Sequence, residues 1–337
     1  MNFTPNIFNR PIARILYISY DGMTDQLGQS QVIPYLLQLS EKGNKIFLLS
    51  FEKKNAFIKS EKEIRNLLNE KRIEWFPQLY TKNPPIISTY LDIRKMRRMA
   101  KKIHLQQKIE IVHCRSYIAA FAGLFLKKKF GVKFLFDIRG FWPEERIDGQ
   151  IWSLKNPVYK QIFKYFKKKE KEFFLHSDAV VSLTNASKSI LKDGFSNQLI
   201  EKPIEVIPCC ADICHFNYNN CSSNTSDNLK KKLNIPENSM VVLYLGSLGT
   251  WYMLDEMLDF FTTLKHSNEN SLFLFVTKDN PEIIYKKADS KNISKESLRI
   301  ISAERSELPD LIYLASFSLF FIKPLFSKKA SSPTKLA

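Results

Sequence analysis

Short apolar runs alternate along this chain with longer stretches whose apolar residues recur at helical spacing. In the first such unit, residues 15–19 form an apolar run, residues 21–28 are polar, and apolar residues return at helical intervals from 32 to 39. This pattern predicts a strand, a glycine-containing turn and a helix. A helix N-terminus at a strand end suits phosphate. Gly22 and Gly28 do not form the G-x-G-x-x-G dinucleotide fingerprint, and a turn without any ligand is the alternative.

The same alternation continues through the first two-thirds of the chain. Further strands are predicted at residues 45–51, 73–76, 109–113, 133–136, 179–183 and 204–207. Further helices are predicted at residues 53–68, 90–104, 119–130, 156–175 and 186–192, and residues 137–146 are predicted to form a loop. Strands that alternate with helices in this way indicate βαβ units, so the predicted fold class is α/β with parallel sheets.

A polar stretch at residues 221–227 predicts a linker between two domains. We place the first domain at residues 1–220, the linker at 221–238 and the second domain at 239–337. In the second domain, strands are predicted at 241–245, 272–276, 298–301 and 319–322. One helix is predicted to follow residues 246–249 and to run through 261, and another is predicted at 308–315. Ser332 and Pro333 have the pattern of a helix start, yet only about one turn follows, which is too short to be stable alone. The sequence therefore predicts that the second domain is incomplete and that the chain is truncated.

The charge balance predicts an anionic partner. Lysine and arginine number 51 and aspartate and glutamate 34, which gives a net charge of +17. Such an excess fits nucleic acid, an acidic membrane surface or phosphorylated substrates. The basic residues are spread over many predicted helices and form no known nucleic-acid module, so nucleic acid is not expected. No apolar run reaches the roughly 18 residues of a spanning helix, and the N-terminus lacks the apolar core of a signal peptide, which predicts a cytoplasmic protein.

The five cysteines raise the question of a metal site. Cys209, Cys210, Cys214 and Cys221 lie close in sequence to His215, but the segment contains no C-x-x-C pair. An odd cysteine count without a signal peptide also argues against a disulfide framework. We therefore expect reduced structural thiols and no metal ion.

Several segments, taken in order, resemble one known family. They are DGMTDQLGQSQ at 21–31, VHCRS at 112–116, FDIRGFWPEER at 136–146, SDAVVSLTNASK at 177–188, VIPCCADICHF at 206–216, YLGSLGTWYMLDEML at 244–258 and SKKASSPTKLA at 327–337. Together these motifs resemble the retaining glycosyltransferases of family 4, and the resemblance extends over almost the whole chain.

The resemblance implies the GT-B architecture, in which two Rossmann-like domains with parallel sheets face a cleft. It implies transfer of a sugar from a nucleotide-diphosphate sugar, held mostly by the second domain, to a glycan or lipid-linked acceptor on the first. It also implies retention of anomeric configuration and no cofactor or metal, and the sequence has no D-x-D pair. A role in surface polysaccharide synthesis is the expected context.

The diphosphate must then be neutralised by backbone dipoles and basic side chains. Three segments could supply these groups, and their residues are Gly28 and Gln29, Gly246 and Ser247, and Ser331, Ser332, Thr334 and Lys335. The alternatives are a plain turn at the second segment and a capped helix without ligand at the third.

Two positions depart from the family pattern. Ser247 stands where many members have arginine, and no lysine follows before Lys265. The family's two glutamates, eight positions apart, would fall on Ala330 and on the position after Ala337. A second hypothesis is therefore an inactive remnant, or a non-catalytic binding half, of such an enzyme.

The resemblance places the sugar near residues 137–146. Asp137, Arg139 and Glu144 are the expected catalytic residues, at the carboxyl end of a strand where open parallel sheets bind ligands. Arg139 aligns with a position that is often histidine; because arginine cannot act as a base, we expect it to position groups or stabilise charge. His113 and Trp142 are expected on the acceptor side. The alternatives are that the arginine, aspartate and glutamate form a structural network, that His113 is an ordinary core residue and that Trp142 only packs.

The predicted helix at 157–175 has an apolar face and a lysine-rich face. Such a helix can lie on an anionic membrane surface, which would place the protein peripherally on the inner face of the cell membrane. The alternative is a surface helix whose apolar side packs on the sheet.

Overall fold

The computed structural model describes residues 12–195 and 202–336. Contacts divide the chain into two compact units. The first unit extends to Cys210 and also includes the segment from Lys329, whereas the second unit is Ala211–Lys328.

The first unit is built on a seven-stranded parallel sheet with the order β3-β2-β1-β4-β5-β6-β7. Its strands are β1 (Arg14–Ser19), β2 (Lys45–Glu52), β3 (Glu74–Leu79), β4 (Ile111–Arg115), β5 (Lys133–Asp137), β6 (Ala179–Ser182) and β7 (Ile204–Val206). Its helices are α1 (Ile33–Glu41), α2 (Lys54–Glu70), α3 (Ile87–Gln107), α4 (Ser116–Phe130), α5 (Trp142–Asp148), α6 (Pro157–His176) and α7 (Asn185–Phe195).

Helices cover both faces of this sheet, so its central strands are almost wholly buried. β2 is buried from Ile46 to Glu52, as expected for a parallel sheet with two covered faces. α4 is apolar around most of its surface and packs against β4, β5, α3 and α6. The main core cluster therefore lies under α4, and this rigid layer fixes the ends of β4 and β5.

The second unit has a four-stranded parallel sheet with the order β10-β9-β8-β11. Its strands are β8 (Met240–Leu245), β9 (Ser271–Val276), β10 (Leu298–Ile301) and β11 (Phe317–Ser318). Its helices are α8 (Ser223–Lys232), α9 (Leu254–Ser267), α10 (Pro281–Asp289) and α11 (Leu308–Leu314).

The alternation of strands and helices predicted from the sequence is confirmed in the first unit and, except for α10, which was not predicted, in the second. Four local predictions are wrong. Residues 223–232 of the predicted linker form α8, which packs on α11. Residues 142–148 of the predicted loop form α5. The strand predicted at 319–322 is replaced by β11 at 317–318. After Ser332 the chain forms only a 3-10 helix, Thr334–Leu336.

No helix within the described ranges is long and apolar enough to cross a membrane. The apolar side of α6 is also largely occupied: Phe166, Phe173 and Phe174 are buried in the core of the first unit. The alternative in which this side packs on the sheet is therefore correct, and only the lysine-rich side with a few apolar residues faces outward.

Candidate functional site

The carboxyl ends of the central strands carry a row of polar side chains. Ser19 of β1 lies opposite Arg115 of β4, and Arg115 lies opposite Asp137 of β5. The strand order reverses between β1 and β4, and open α/β sheets bind ligands outside the strand ends at such a reversal. The segments that follow add three more residues. We call the resulting group the arginine cluster; its members are Asp21, Gln31, Arg115, Asp137 and Arg139.

Gln31 connects the two arginines. Its Oε1 accepts hydrogen bonds from Nη2 of Arg115 at 2.7 Å and from Nη2 of Arg139 at 2.9 Å. Its Nε2 donates to Oγ1 of Thr334 at 2.7 Å. Two guanidinium donors on one oxygen and a hydroxyl beside the amide nitrogen fix the orientation of the amide. The sequence analysis missed this role, because no residue pattern marks one glutamine among the three at positions 26, 29 and 31.

Arg115 is buried and stays charged. Its Nε donates to Oδ2 of Asp21 at 3.2 Å. Burial alone would lower the pKa of Arg115, but Tyr17 and the carboxylates of Asp21 and Asp137 outweigh it, so the pKa is raised. The sequence analysis quoted this residue within a motif without assigning it a function.

Arg139 lies in the turn after β5 with a φ of +53°, a conformation that is uncommon for residues other than glycine. Besides Gln31, its Nη2 contacts Sγ of Cys209 at 3.0 Å, and its Nη1 lies 3.9 Å from Oδ2 of Asp137. Its Nε is buried and has no hydrogen-bond partner. The guanidinium group is therefore held through Nη1 and Nη2 and retains an unused donor at Nε.

Asp137 is buried, and its Oδ2 lies 3.5 Å from Nε2 of His113. Burial would raise the pKa of Asp137, but the nearby imidazole of His113 and the charges of Arg139 and Arg115 outweigh it and lower the pKa. The carboxylate is therefore ionised at neutral pH. Its Oδ1 is buried without a hydrogen-bond partner.

His113 lies between Asp137 and two tyrosine rings, with centroid distances of 4.5 Å to Tyr17 and 5.9 Å to Tyr35. Burial and the nearby charge of Asp137 raise the pKa of Tyr35 to about 12, so this tyrosine is neutral. The structure thus brings His113 and Asp137 together.

A buried carboxylate that the sequence analysis missed holds the turn after β1. Glu52, at the end of β2, accepts hydrogen bonds from the backbone N–H groups of Met23 and Thr24 at 2.9 and 3.0 Å. A Cβ on Gly22 would lie 2.7 Å from Oε2 of Glu52, and one on Gly28 would lie 2.2 Å from the carbonyl oxygen of Gly22. The two glycines are needed for this close approach.

The groups of Gln29 that were predicted to bind a phosphate are already paired in this structure. The backbone N–H of Gln29 already donates to the carbonyl of Asp25 at 3.1 Å, and the Gln29 side chain donates to the carbonyl of Thr24 at 3.3 Å. Residues 28–32 form a π-helix that leads directly into α1, so this N–H does not point at a phosphate. Gly28 serves the backbone geometry of the turn.

The segment from Lys329 packs within the first unit. Thr334 binds Gln31, and Oγ of Ser332 accepts a hydrogen bond from the backbone N–H of Cys209 at 3.2 Å. Burial lowers the pKa of Lys335 to about 8. Ser331 is half-buried. Two of the four donor-binding residues predicted here, Ser332 and Thr334, thus make a hydrogen bond within this unit.

Glu144 lies in a different cluster from Asp137 and Arg139. It pairs with Lys167 of α6 at 2.6 Å, and Lys167 also pairs with the buried Glu170 at 2.5 Å. Burial raises the pKa of Glu144, and the lysine only partly offsets this. The prediction that Glu144 joins the other two residues is therefore not supported by its contacts.

Trp142 packs among aromatic rings. Its ring lies 5.3 Å from Trp152 and 4.8 Å from Phe166, and the guanidinium group of Arg146 covers it at 4.8 Å. These contacts fit the packing alternative better than an acceptor-side role.

In the second unit, a carboxylate occupies the glycine loop after β8. The N–H of Gly246 donates to the carbonyl of Val276 at 2.8 Å. Asp279 accepts hydrogen bonds from Oγ of Ser247 at 3.0 Å and from the N–H of Leu248 at 2.5 Å. The loop groups predicted to bind a phosphate are thus already paired in this structure.

No three histidine, cysteine, aspartate or glutamate side chains within residues 12–195 and 202–336 come together in a way that could hold a metal ion. In the cysteine-rich segment, Nε2 of His215 instead pairs with the carbonyl of Arg305 at 3.0 Å.

These features define an α/β protein with a doubly wound sheet, a polar site at its strand reversal and a second parallel sheet. A model of Glycosyltransferase Family 4 matches residues 33–214, more than half of the chain, so the chain belongs to Glycosyltransferase Family 4. It is therefore a glycosyltransferase, and the resemblance seen in the sequence is confirmed.

Solved structures with the GT-B architecture share the fold. A glycosyltransferase from Rickettsia africae matches with a TM-score of 0.64 and 16% identity over 92% of this chain and 73% of its own. An α,α-trehalose-phosphate synthase (UDP-forming) from Burkholderia vietnamiensis has a TM-score of 0.60 and 9% identity, covering 91% and 76%. A UDP-GlcNAc 2-epimerase from Neisseria meningitidis, bound to UDP-GlcNAc, has a TM-score of 0.54 and 11% identity, covering 90% and 74%. No curated protein sequence matches the chain significantly. The predicted GT-B fold is confirmed.

Proposed function

We propose that this glycosyltransferase moves a sugar from a nucleotide-diphosphate sugar to a glycan or lipid-linked acceptor, and that the arginine cluster binds the donor. The observation that carries the proposal is the pair of buried, unpartnered atoms in this cluster, Oδ1 of Asp137 and Nε of Arg139. Buried polar atoms without partners are rare in folded proteins and call for an explanation.

A sugar satisfies both atoms. A hydroxyl group can donate to a carboxylate oxygen and accept from a guanidinium N–H. The pKa of Asp137 is lowered by its neighbours, so this residue accepts hydrogen bonds at neutral pH and does not act as a proton donor. Arg139 cannot serve as a base. We therefore assign both residues to positioning the sugar rather than to proton transfer.

The leaving diphosphate needs positive charge. Arg115 and Arg139 present guanidinium groups, and Lys335 lies in a segment of the same unit. Fixed charges in a partly buried site stabilise a developing anion without reorganisation. This supports a reaction without a divalent metal and, with the family membership, one that retains anomeric configuration. Gly246 and Ser247 remain predicted donor-binding residues, provided that the carbonyl of Val276 releases the first and Asp279 releases the second.

The structural neighbours suggest which donors to test first. One bears UDP-GlcNAc and another is named as UDP-forming. Uridine nucleotides therefore come first in a panel that also includes GDP-, ADP- and CMP-sugars. Synthesis of a surface polysaccharide, at the cytoplasmic face of a membrane, is the setting that we propose. The outward lysines of residues 157–175 could contact an anionic membrane surface there.

The test is release of nucleoside diphosphate by the full chain with each donor and a mixed lipid-linked or glycan acceptor pool, with the product anomer read by NMR. We expect release with one nucleotide class and the same anomeric configuration in donor and product. Arg139→Gln should lower kcat/KM by about 10²–10³, the usual cost of losing one preorganised donor. The exposed Arg72→Gln is the matched control and should match the unsubstituted chain. Equal rates for both variants would contradict the assignment.

A further inference from the structure

The most prominent unpartnered surface of the first unit lies at the start of α3. Six large apolar side chains are exposed within 13 residues there, and we call this group the α3 tip. Its members are Leu79, Tyr80, Ile86, Ile87, Tyr90 and Leu91. Ile87 and Tyr90 are 57% and 58% exposed. Scattered apolar residues are normal on protein surfaces, but six large exposed ones so close in sequence point to an interaction site.

The outward side of α3 continues from this tip as a basic stripe. Arg94, Arg98 and Lys102 follow Ile87 and Leu91 at intervals of three or four residues and are exposed, so they lie on the same side of the helix. α3 carries six lysine and arginine residues in all. Its one acidic residue, Asp92, is buried and accepts hydrogen bonds from Tyr20 and Thr81. The outward side of α3 therefore has one sign of charge.

We propose that this surface of α3 docks the enzyme on an anionic lipid bilayer, with the α3 tip entering the interface and the basic stripe lying on the headgroups. Stable membrane attachment takes two signals, such as an apolar anchor and a basic patch, and α3 supplies both. A polyanion such as nucleic acid would use the stripe but not the tip, so the bilayer explains more of the surface.

α3 is better suited to this than α6. On α6 the large aromatic residues Phe166, Phe173 and Phe174 are buried, and the exposed apolar residues Val158, Tyr165 and Leu175 are spread along the helix. Two α6 lysines are also paired with acids, Lys167 with Glu144 and Glu170 and Lys169 with Glu172. The amphipathic pattern of α6 indicated in the sequence that this helix binds the membrane. Because its large aromatic side chains are buried in the fold, we assign membrane binding to α3 instead.

The α3 tip is directly connected to the arginine cluster. The hydroxyl of Tyr20, in the turn after β1, donates to Asp92 in the second turn of α3 at 2.9 Å. The next residue, Asp21, pairs with Arg115. Docking of α3 would therefore hold the headgroup of a lipid-linked acceptor close to the proposed donor site. This last step rests on the proposed function; bilayer binding does not.

The test is co-sedimentation of the full chain with vesicles, in the absence of any sugar nucleotide. Vesicles of phosphatidylcholine alone are compared with vesicles of equal parts phosphatidylcholine and phosphatidylglycerol. We expect binding to the mixed vesicles only. Arg94→Glu/Arg98→Glu should lower the partition coefficient by more than about tenfold, since each basic residue near an anionic surface contributes about fivefold. The matched pair on α6, Lys164→Glu/Lys168→Glu, should lower it less.

Apolar substitutions separate the bilayer from other polyanions. Ile87→Ser/Leu91→Ser should abolish the part of vesicle binding that survives added salt, whereas Ile283→Ser/Ile312→Ser, an equal change at exposed sites of the second unit, should not. All variants must keep the melting temperature of the unsubstituted chain. Equal losses for the α3 and α6 pairs, or vesicle binding that is fully salt-sensitive and unaffected by Ile87→Ser/Leu91→Ser, would overturn the proposal. Because no donor is present, these outcomes are independent of the glycosyl-transfer assay.

Discussion

Gln31 is the residue on which the geometry of the arginine cluster depends. One amide oxygen accepts from two guanidinium groups, and the amide nitrogen reaches Thr334. Removing this side chain leaves Nη2 of Arg115 without its acceptor and Nη2 of Arg139 with only Sγ of Cys209, and unpaired buried groups are costly. The arrangement makes Gln31 a positioning residue, since it acts through the arginines.

Gln31→Ala should therefore lower kcat for glycosyl transfer by about tenfold or more, because misplaced charge stabilises the leaving group less well. Gln31→Glu, which keeps an acceptor oxygen for the two guanidinium groups, should restore part of kcat. Gln26→Ala, an exposed glutamine of the same turn, is the control. Steady-state kinetics with saturating donor provide the readout. A Gln31→Ala enzyme with unchanged kcat would show that the contact is only structural.

Lys335 predicts a pH dependence of donor binding. Burial lowers its pKa to about 8, so its positive charge is present below this pH and is lost as the pH rises through it. The KM for the donor should therefore increase above about pH 8. Lys335→Arg should move this increase to higher pH, because arginine remains protonated. Identical profiles for the two proteins would exclude Lys335 from donor binding.

Two glycines have opposite predicted responses to the same substitution. Gly28→Ala places a Cβ 2.2 Å from a backbone oxygen and should lower the free energy of unfolding by about 1–3 kcal/mol. Gly194→Ala, in α7 with no atom within 4 Å of the added Cβ, should raise it by about 0.4–1 kcal/mol, since alanine restricts the unfolded chain. Urea denaturation measures both. The same sign of change in both variants would contradict the packing of the turn after β1.

At the scale of elements, the order and type of the main strands and helices followed from apolar patterning alone. The failures have physical reasons. α5 has seven residues and few apolar positions to mark a helical side. α8 resembles a linker in sequence because it is polar. In the structure, however, Leu229 and Leu233 pack against a cluster of buried apolar side chains in the second unit. Short elements depend on tertiary contacts that local sequence does not reveal.

The helical state of α8 can be tested by limited trypsin digestion. Lys230, Lys231 and Lys232 are three adjacent cleavage sites in what was predicted as a linker. Because α8 is a packed helix capped by Ser222, cleavage there should be slow in the folded protein and rapid after heating. Rapid cleavage of the native chain at these lysines would instead support the linker.

For the candidate site, the sequence predicted residues at the carboxyl ends of the strands. It did not predict the hydrogen-bond network of the arginine cluster. His113, Asp137, Arg139 and Thr334 lie within one unit and are connected by contacts as described. Glu144 pairs elsewhere, and Glu52, Asp21 and Gln31 were not foreseen. Their roles arise from strand order and register, and the order in which strands pair is a tertiary property.

At the scale of the whole molecule, the excess of 17 positive charges predicted an anionic partner without saying which. The structure separates two uses for this charge. The buried Arg115 and half-buried Arg139 at the strand reversal suit a sugar nucleotide, and the exposed basic stripe on α3 suits a bilayer.

The most direct test of the central claim, that the arginine cluster binds the donor, is a thermal-shift screen with UDP-, GDP-, ADP- and CMP-sugars. A ligand that binds only the folded chain raises its melting temperature. We predict a shift with one nucleotide class, lost in Arg139→Gln and retained in Arg72→Gln. No shift with any donor, or an unchanged shift in Arg139→Gln, would contradict the account.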